Sequence, residues 1–282
     1  MQAFDELAAR TDDDIDVALG AALIARDVYG TLDVGALLAR FDALAEGLPP
    51  LEAVPAREQA RRLSEHVYGV LGFHGNEEAY YDPRNSLLPD VIERRTGIPI
   101  SLALVYQEVG RRRGVRTRGI SFPGHFLVRV DDGAIDLHAD DDDGLVYVDP
   151  FFGGRVLGSD DLSKLLARVS AQSSVTLEEG KLREHLVPAT PRAILLRWLM
   201  NLRGVYLQRG DRARALLVLD RIVSLSRGAA WALRERGVLA AKLGAVSAGR
   251  ADLERALASA SGKELEQVKD DLAKLPASAT LN

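Results

Sequence analysis

The sequence predicts an α+β protein: one buried helix packed on a small antiparallel sheet, with helices before it and a separate helical region after it. Three observations lead there. After Ser101 the residues Leu102, Val105, Tyr106 and Val109 recur at helical spacing, while Ala103 and Leu104 make the opposite side apolar too, as in a helix wanted inside a domain. From Val115 the period changes to two and stays so through several short runs. Beyond Thr190-Pro191 the chain matches itself at a fixed offset.

The N-terminal part, to about residue 65, reads as amphipathic helices. Ile15, Ala18, Leu19, Ala22 and Leu23 follow the acidic run Asp12-Asp13-Asp14, which suits a helix start. Leu37, Leu38, Phe41 and Leu44 form a second helix that ends before Gly47-Leu48-Pro49-Pro50, and a third runs from Pro55 through Leu63, Val67 and Val70. Residues 72–85 are rich in Gly, Asn, Asp and Pro but hold Phe73, Tyr80 and Tyr81, so they read as a long ordered loop. A short helix at 89–95 stops at Gly97, and Pro99 makes Ile98 extended. Ser101 then has the chemistry of an N-cap for the buried helix. That helix ends at Gly110 to Gly114, with Arg111, Arg112 and Arg113 at the negative end of its dipole.

Strands are predicted at 115–121, 125–130, 134–139 and 145–148, joined in an antiparallel meander with a hairpin turn at Asp131-Asp132-Gly133. A helix follows, with Ser159 as cap before Leu162, Leu165, Leu166 and Val169, and 170–189 reads as an irregular bridge. In the tail an offset of 34 residues aligns Gly210 with Gly244, Leu219 with Leu253, Val205 with Leu239 and Ile222 with Ala256. That is the tetratricopeptide period, and two copies need neighbours or the last helix, 263–274, to cover their apolar faces. The expected domains are 1–175 and 188–282.

Composition removes several function classes. The 282 residues are 47% hydrophobic, enough for a large core. A net charge of -5, from 36 basic and 41 acidic residues, creates no overall field for nucleic acid or anionic membrane. The chain has no cysteine, hence no disulfide, thiolate metal site or cysteine nucleophile. It shows no leader pattern and no apolar run near ~18 residues, so a cytoplasmic protein is the expectation. The acidic loop before Asp149 lacks the calcium-loop pattern, and His66, His74, His138 and His185 form no ligand spacing, so neither metal nor cofactor is expected.

Three residues have contexts that suit acyl-transfer chemistry. Ser101 opens a buried helix whose N–H groups could receive an oxyanion, His125 opens one strand, and Asp149 closes another. The runs Gly97-Ile98-Pro99-Ile100-Ser101-Leu102, Pro123-Gly124-His125-Phe126-Leu127 and Val148-Asp149-Pro150-Phe151, the last followed by Gly153-Gly154, resemble the bacterial SirB-type proteins. So do Tyr81-Asp82-Pro83-Arg84-Asn85-Ser86, Asn201-Leu202 and Arg234-Glu235-Arg236-Gly237, and the likeness spans about residues 10 to 260. The resemblance implies a papain/transglutaminase-like core with a tetratricopeptide tail. It assigns the nucleophile's position to Ser101, the base to His125 and the orienting acid to Asp149. Asn85, Tyr81 and Phe126 are the candidate substrate-binding groups.

Serine stands where the transglutaminase type has cysteine, and SirB-type proteins commonly carry serine there. A hydroxyl is a poor nucleophile without a well-placed base and oxyanion hole. Two classes stay open: a non-catalytic module that binds a peptide or protein through its cleft or repeat surface, and a Ser-His-Asp acyl transferase or amide hydrolase. Loss of the thiol favours the first; retention of histidine and aspartate favours the second.

Overall fold

The computed structural model describes residues 2–131, 145–172 and 179–276. The chain packs as two compact units, Val17–Ile194 and Met1–Asp16 with Leu195–Asn282, so the division falls inside the helix Pro191–Gln208. The sequence predicts a division between 175 and 188 and keeps the N-terminus with the first domain. The first helix, α1 (Gln2–Ala9), packs instead in the unit of the C-terminal helices. Phe4 and Leu7 are buried there, the Arg221 guanidinium lies 5.0 Å from the Phe4 ring centroid, and Ser224 Oγ donates to Asp5 at 2.7 Å.

In the larger unit, α2 (Val17–Tyr29) and α3 (Val34–Ala45) form as expected, α3 with Asp33 accepting from the Ala36 N–H at 2.9 Å. The third expected helix divides into α4 (Ala56–Ser64) and a π-helical stretch, Glu65–Val70. The wider turn is closed by the Leu71 N–H on the His66 carbonyl at 2.8 Å. The loop at 72–85 carries β1 (His74–Gly75), which pairs in parallel with β2 (Thr96–Gly97) beyond α5 (Leu88–Arg94). Then comes α6 (Pro99–Arg112), whose first residue is proline, a position where no intrahelical N–H bond is lost. From Pro99 to Tyr106 every residue is buried, as the all-round apolar sequence requires.

The main sheet is antiparallel in the order β3 (Arg116–Ile120), β4 (Leu127–Asp131), β5 (Val146–Asp149) and β6 (Arg155–Leu157). The first three fall on predicted strands. The predicted strand at 134–139, with the acidic loop after it, lies outside the described residues. β6 is too short to show a period of two, and its pairing, Val148 with Val156, comes from the turn that follows β5. On one face Ile120, Leu127, Tyr147 and Leu157 pack with Leu162 and Leu166 of α7 (Ser159–Gln172). Alternation turns Val128, Val130, Val146 and Val148 to the other face, where α4 and α6 contact the strands. Both faces are therefore buried along β4 and β5.

The bridge expected to be irregular holds a 3-10 helix, Glu179–Leu186, whose Leu182 and Leu186 join the α7 side of the core. The chain then covers the open edge of β3 with Pro188 opposite Ile120. Thr190 Oγ1 accepts from the Ala193 N–H at 3.2 Å, so α8 (Pro191–Gln208) begins at the predicted start.

The smaller unit continues with α9 (Arg212–Leu225), α10 (Ala230–Lys242), α11 (Val246–Leu257) and α12 (Gly262–Ala273). Gly210 and Gly244, equivalent in the repeat, both turn the chain with positive φ (73 and 92°). The run Arg234-Glu235-Arg236-Gly237 ties α10 to each neighbour. Arg234 pairs with Asp271 of α12, and Glu235 with Arg203 of α8. Arg236 binds both oxygens of Asp252 on α11 at 2.6 Å and reaches Asp220 of α9 at 3.0 Å. Burial raises the Asp220 carboxyl above the usual range although Arg236 pulls it down.

Replacing Arg236 with alanine takes from the buried Asp252 its two 2.6 Å hydrogen bonds, leaving it Arg255 at 3.3 Å, and lowers the stability of this unit by about 1–3 kcal/mol in urea denaturation. Arg214→Ala, which removes an exposed ion pair with Asp211, costs under about 1 kcal/mol. Equal losses would show that Arg236 contributes no more than a surface charge.

Candidate functional site

The described site lies wholly in the larger unit, where the start of α6, the 72–85 loop and the β5–β6 turn come together. His125, just before β4, is 8% exposed and Asp149, at the end of β5, 4%. His125 Nε2 lies 2.8 Å from Asp149 Oδ1. The same oxygen accepts the backbone N–H groups of Phe151 and Phe152 at 3.0 and 3.2 Å. With that oxygen already an acceptor for two backbone N–H groups, the arrangement suits His125 Nε2 as the donor to it. This pair has the chemistry of a base and its orienting acid.

Ser101 is not at the N-cap. It is the third residue of α6, with Ile98 as cap, and it is fully buried. Its Oγ accepts the Ile98 N–H at 3.0 Å, as a side chain at this position does when it reaches back to the cap. Its one proton faces the Asn85 carbonyl at 2.7 Å, with the Ile98 carbonyl at 3.1 Å the next acceptor. Among the described residues Ser101 makes no hydrogen bond to His125. Close packing keeps it in place: a Cβ on Gly97 would sit 2.5 Å from Ser101 Oγ, so only glycine fits there.

Asn85 is fully buried as well. Its Nδ2 donates to the carbonyls of Ala79 and Tyr80 at 2.8 and 3.1 Å, and its Oδ1 accepts from Asn76 Nδ2 at 3.0 Å. The amide therefore shapes the loop rather than facing a cleft. Phe126 is 1% exposed and packs beneath Gly119 in the core, whereas Tyr81 is 60% exposed. Tyr81 begins a chain of aromatic rings: Tyr81 to Tyr80 at 5.4 Å, Tyr80 to Phe151 at 5.9 Å, Phe151 to Phe152 at 5.2 Å, and Phe152 to the His125 ring at 6.2 Å.

Tyr68, Phe152 and Ser64 also belong to this region; Phe152 lies within the Val148 to Gly154 motif, whereas the contexts of Tyr68 and Ser64 carry no mark of it. Ser64 Oγ donates to the Gly154 carbonyl at 2.9 Å, pinning the β5–β6 turn to the end of α4. Tyr68 lies on the π-helical stretch and stacks on Tyr106, 6.1 Å between centroids. Its buried hydroxyl has no hydrogen-bond partner among the described residues. Burial, then the nearby Tyr106 and Asp149, push its phenol well above the ordinary tyrosine range. No group of three or more His, Cys, Asp or Glu among the described residues is placed to hold a metal, and no described helix is long and apolar enough to cross a membrane.

The profile of the transglutaminase-like superfamily matches residues 33–200, a span that includes Asn85, Ser101, His125 and Asp149. The chain belongs to that superfamily. A tetratricopeptide-repeat profile matches 202–273, so this transglutaminase-like domain is followed by repeats. A UPF0162 protein of Xylella fastidiosa, of the SirB-type family, is 38% identical over 259 residues, covering 90% of this chain and 87% of its own. F-box only protein 21 of Mus musculus is 42% identical over 91 residues, 32% of this chain and 14% of its own. Among solved structures, menin superposes over 96% of this chain and 73% of its own at 11% identity with a TM-score of 0.40, too loosely to bear on the site.

Ser101→Ala strands the Ile98 N–H and the Asn85 carbonyl, and the transglutaminase-like domain loses about 1–3 kcal/mol of unfolding free energy. Tyr68→Phe removes only an unpartnered hydroxyl and stays within about 1 kcal/mol of wild type or exceeds it. Chemical denaturation of both variants checks the contrast, and a neutral Ser101→Ala would contradict the assignment of its hydrogen bonds.

Proposed function

We propose that this chain is a catalytically silent transglutaminase-like protein, a binding or regulatory module that recognises a peptide or protein partner. In this reading the core is papain-like: Ser101 stands at the nucleophile's position, His125 at the base's and Asp149 at the orienting acid's. The observation that supports silence is the fate of the Ser101 hydroxyl. It is fully buried, accepts from Ile98 N and directs its proton to a backbone carbonyl. A serine attacks a carbonyl only if its proton passes to a base as the new bond forms. Tetratricopeptide repeats mediate protein interactions, which supports a macromolecular partner over a small metabolite.

The second reading is a Ser-His-Asp acyl transferase or amide hydrolase acting on peptides. The 2.8 Å bond between His125 and Asp149 favours it, because it sets the tautomer that a general base needs. Activity would require Ser101 Oγ to leave Asn85 and turn to His125 Nδ1.

A fluorophosphonate probe divides the two. A silent domain leaves Ser101 unlabelled in the native protein, as judged by mass spectrometry of the digested chain. Stoichiometric labelling at Ser101, abolished in His125→Ala, would establish the enzyme instead.

A further inference from the structure

The ring chain ends at the surface in a turn that carries charge. Asn76 Oδ1 accepts the Ala79 N–H at 2.9 Å, so Glu77 and Glu78 form the middle of a tight turn immediately before Tyr80 and Tyr81. Both carboxylates are exposed, and neither forms an ion pair among the described residues. Arg84 and Arg94 both turn to Asp82, at 2.7 and 3.9 Å. Beside these acids lie Tyr81 and Phe152, 60% and 49% exposed, with Tyr80 and Phe151 joining them. Ring faces attract cations through their quadrupole, and guanidinium groups stack on them best. Exposed carboxylates with no ion partner among the described residues, on a loop that also exposes aromatic rings, complement a positive side chain and repel a negative one.

We propose that this aromatic and acidic surface, Glu77, Glu78, Tyr80, Tyr81 and Phe152, is the docking site for an arginine-bearing segment of a partner protein. The proposal rests on the binding-module reading and names its ligand chemistry. Arginine side chains lie over the rings of Tyr81 and Phe152, while Glu77 and Glu78 supply the counter-charge. The hydrogen bonds of Asn85 to Ala79 and Tyr80 hold the surface in shape before binding, which limits the ordering cost. Aspartate-rich or purely apolar segments lack this match.

The test uses the full chain and three fluorescent peptides of equal length, one arginine-rich with an aromatic residue, one with glutamate in place of each arginine, one with serine. Fluorescence anisotropy measures binding at low and raised salt. The expected result is binding of the arginine peptide alone, weakened by salt and by about fivefold or more in Glu77→Gln/Glu78→Gln and in Tyr81→Ala. All three substituted residues are exposed, and unchanged circular dichroism shows that each variant folds. Binding of the serine or glutamate peptide as tightly as the arginine peptide overturns the ligand chemistry, as does full affinity in the variants or no binding at all. Labelling of Ser101 by fluorophosphonate is a separate result: it overturns the silent-domain reading and leaves the peptide ranking to be judged by itself.

Discussion

A single hydroxyl joins the two parts of the candidate site. Ser101 Oγ closes the first turn of α6 on the Ile98 N–H and reaches the Asn85 carbonyl on the adjoining loop. Asn85 in turn uses its whole amide to hold Asn76, Ala79 and Tyr80. The loop's aromatic edge thus depends on a helix start that is itself sealed in the core. Buried polar groups are tolerated when each has a partner, and a chain of such partners fixes one arrangement over its neighbours. A thiol at this position would be a weak donor and a weak acceptor. Serine serves this linkage better than a cysteine would.

A second set of bonds holds the β5–β6 turn. Asp149 gathers His125 and two backbone N–H groups, and Ser64 pins the same turn to α4. Phe151 and Phe152, presented by that turn, complete the run of rings from His125 to Tyr81. The His125–Asp149 pair has the geometry of a base and its orienting acid, and Phe152 stacks beside its ring.

The elements with long, consistent patterns were legible in the sequence. The apolar α6, the strands β3 to β5 and the repeat helices each follow a single period over enough residues to declare themselves. The parallel pair β1 and β2 is only two residues on each side, and its cause is the packing of the loop against α6, not propensity. The π-helical turn has the same residue spacing in sequence as the helix that it extends. Helix α1 was lost because its burial depends on α9, more than two hundred residues away in the chain. At the site, His125 and Asp149 stood out by their Pro-Gly and Pro-Phe contexts, and they do pair. Ser101 could not be resolved from sequence, since one residue type serves as helix-start acceptor and as nucleophile. Asn85 was ambiguous for the same reason, its amide suiting a loop as well as a bound substrate.

The direct measurement is neutron diffraction from deuterated crystals, which locates the proton on Ser101 Oγ. The account predicts it on the line to the Asn85 carbonyl oxygen, with the His125 deuterium on Nε2 toward Asp149. A deuteron on the line from Ser101 Oγ to His125 Nδ1, with the two atoms within about 3 Å of each other, would contradict it and restore Ser101 as a nucleophile.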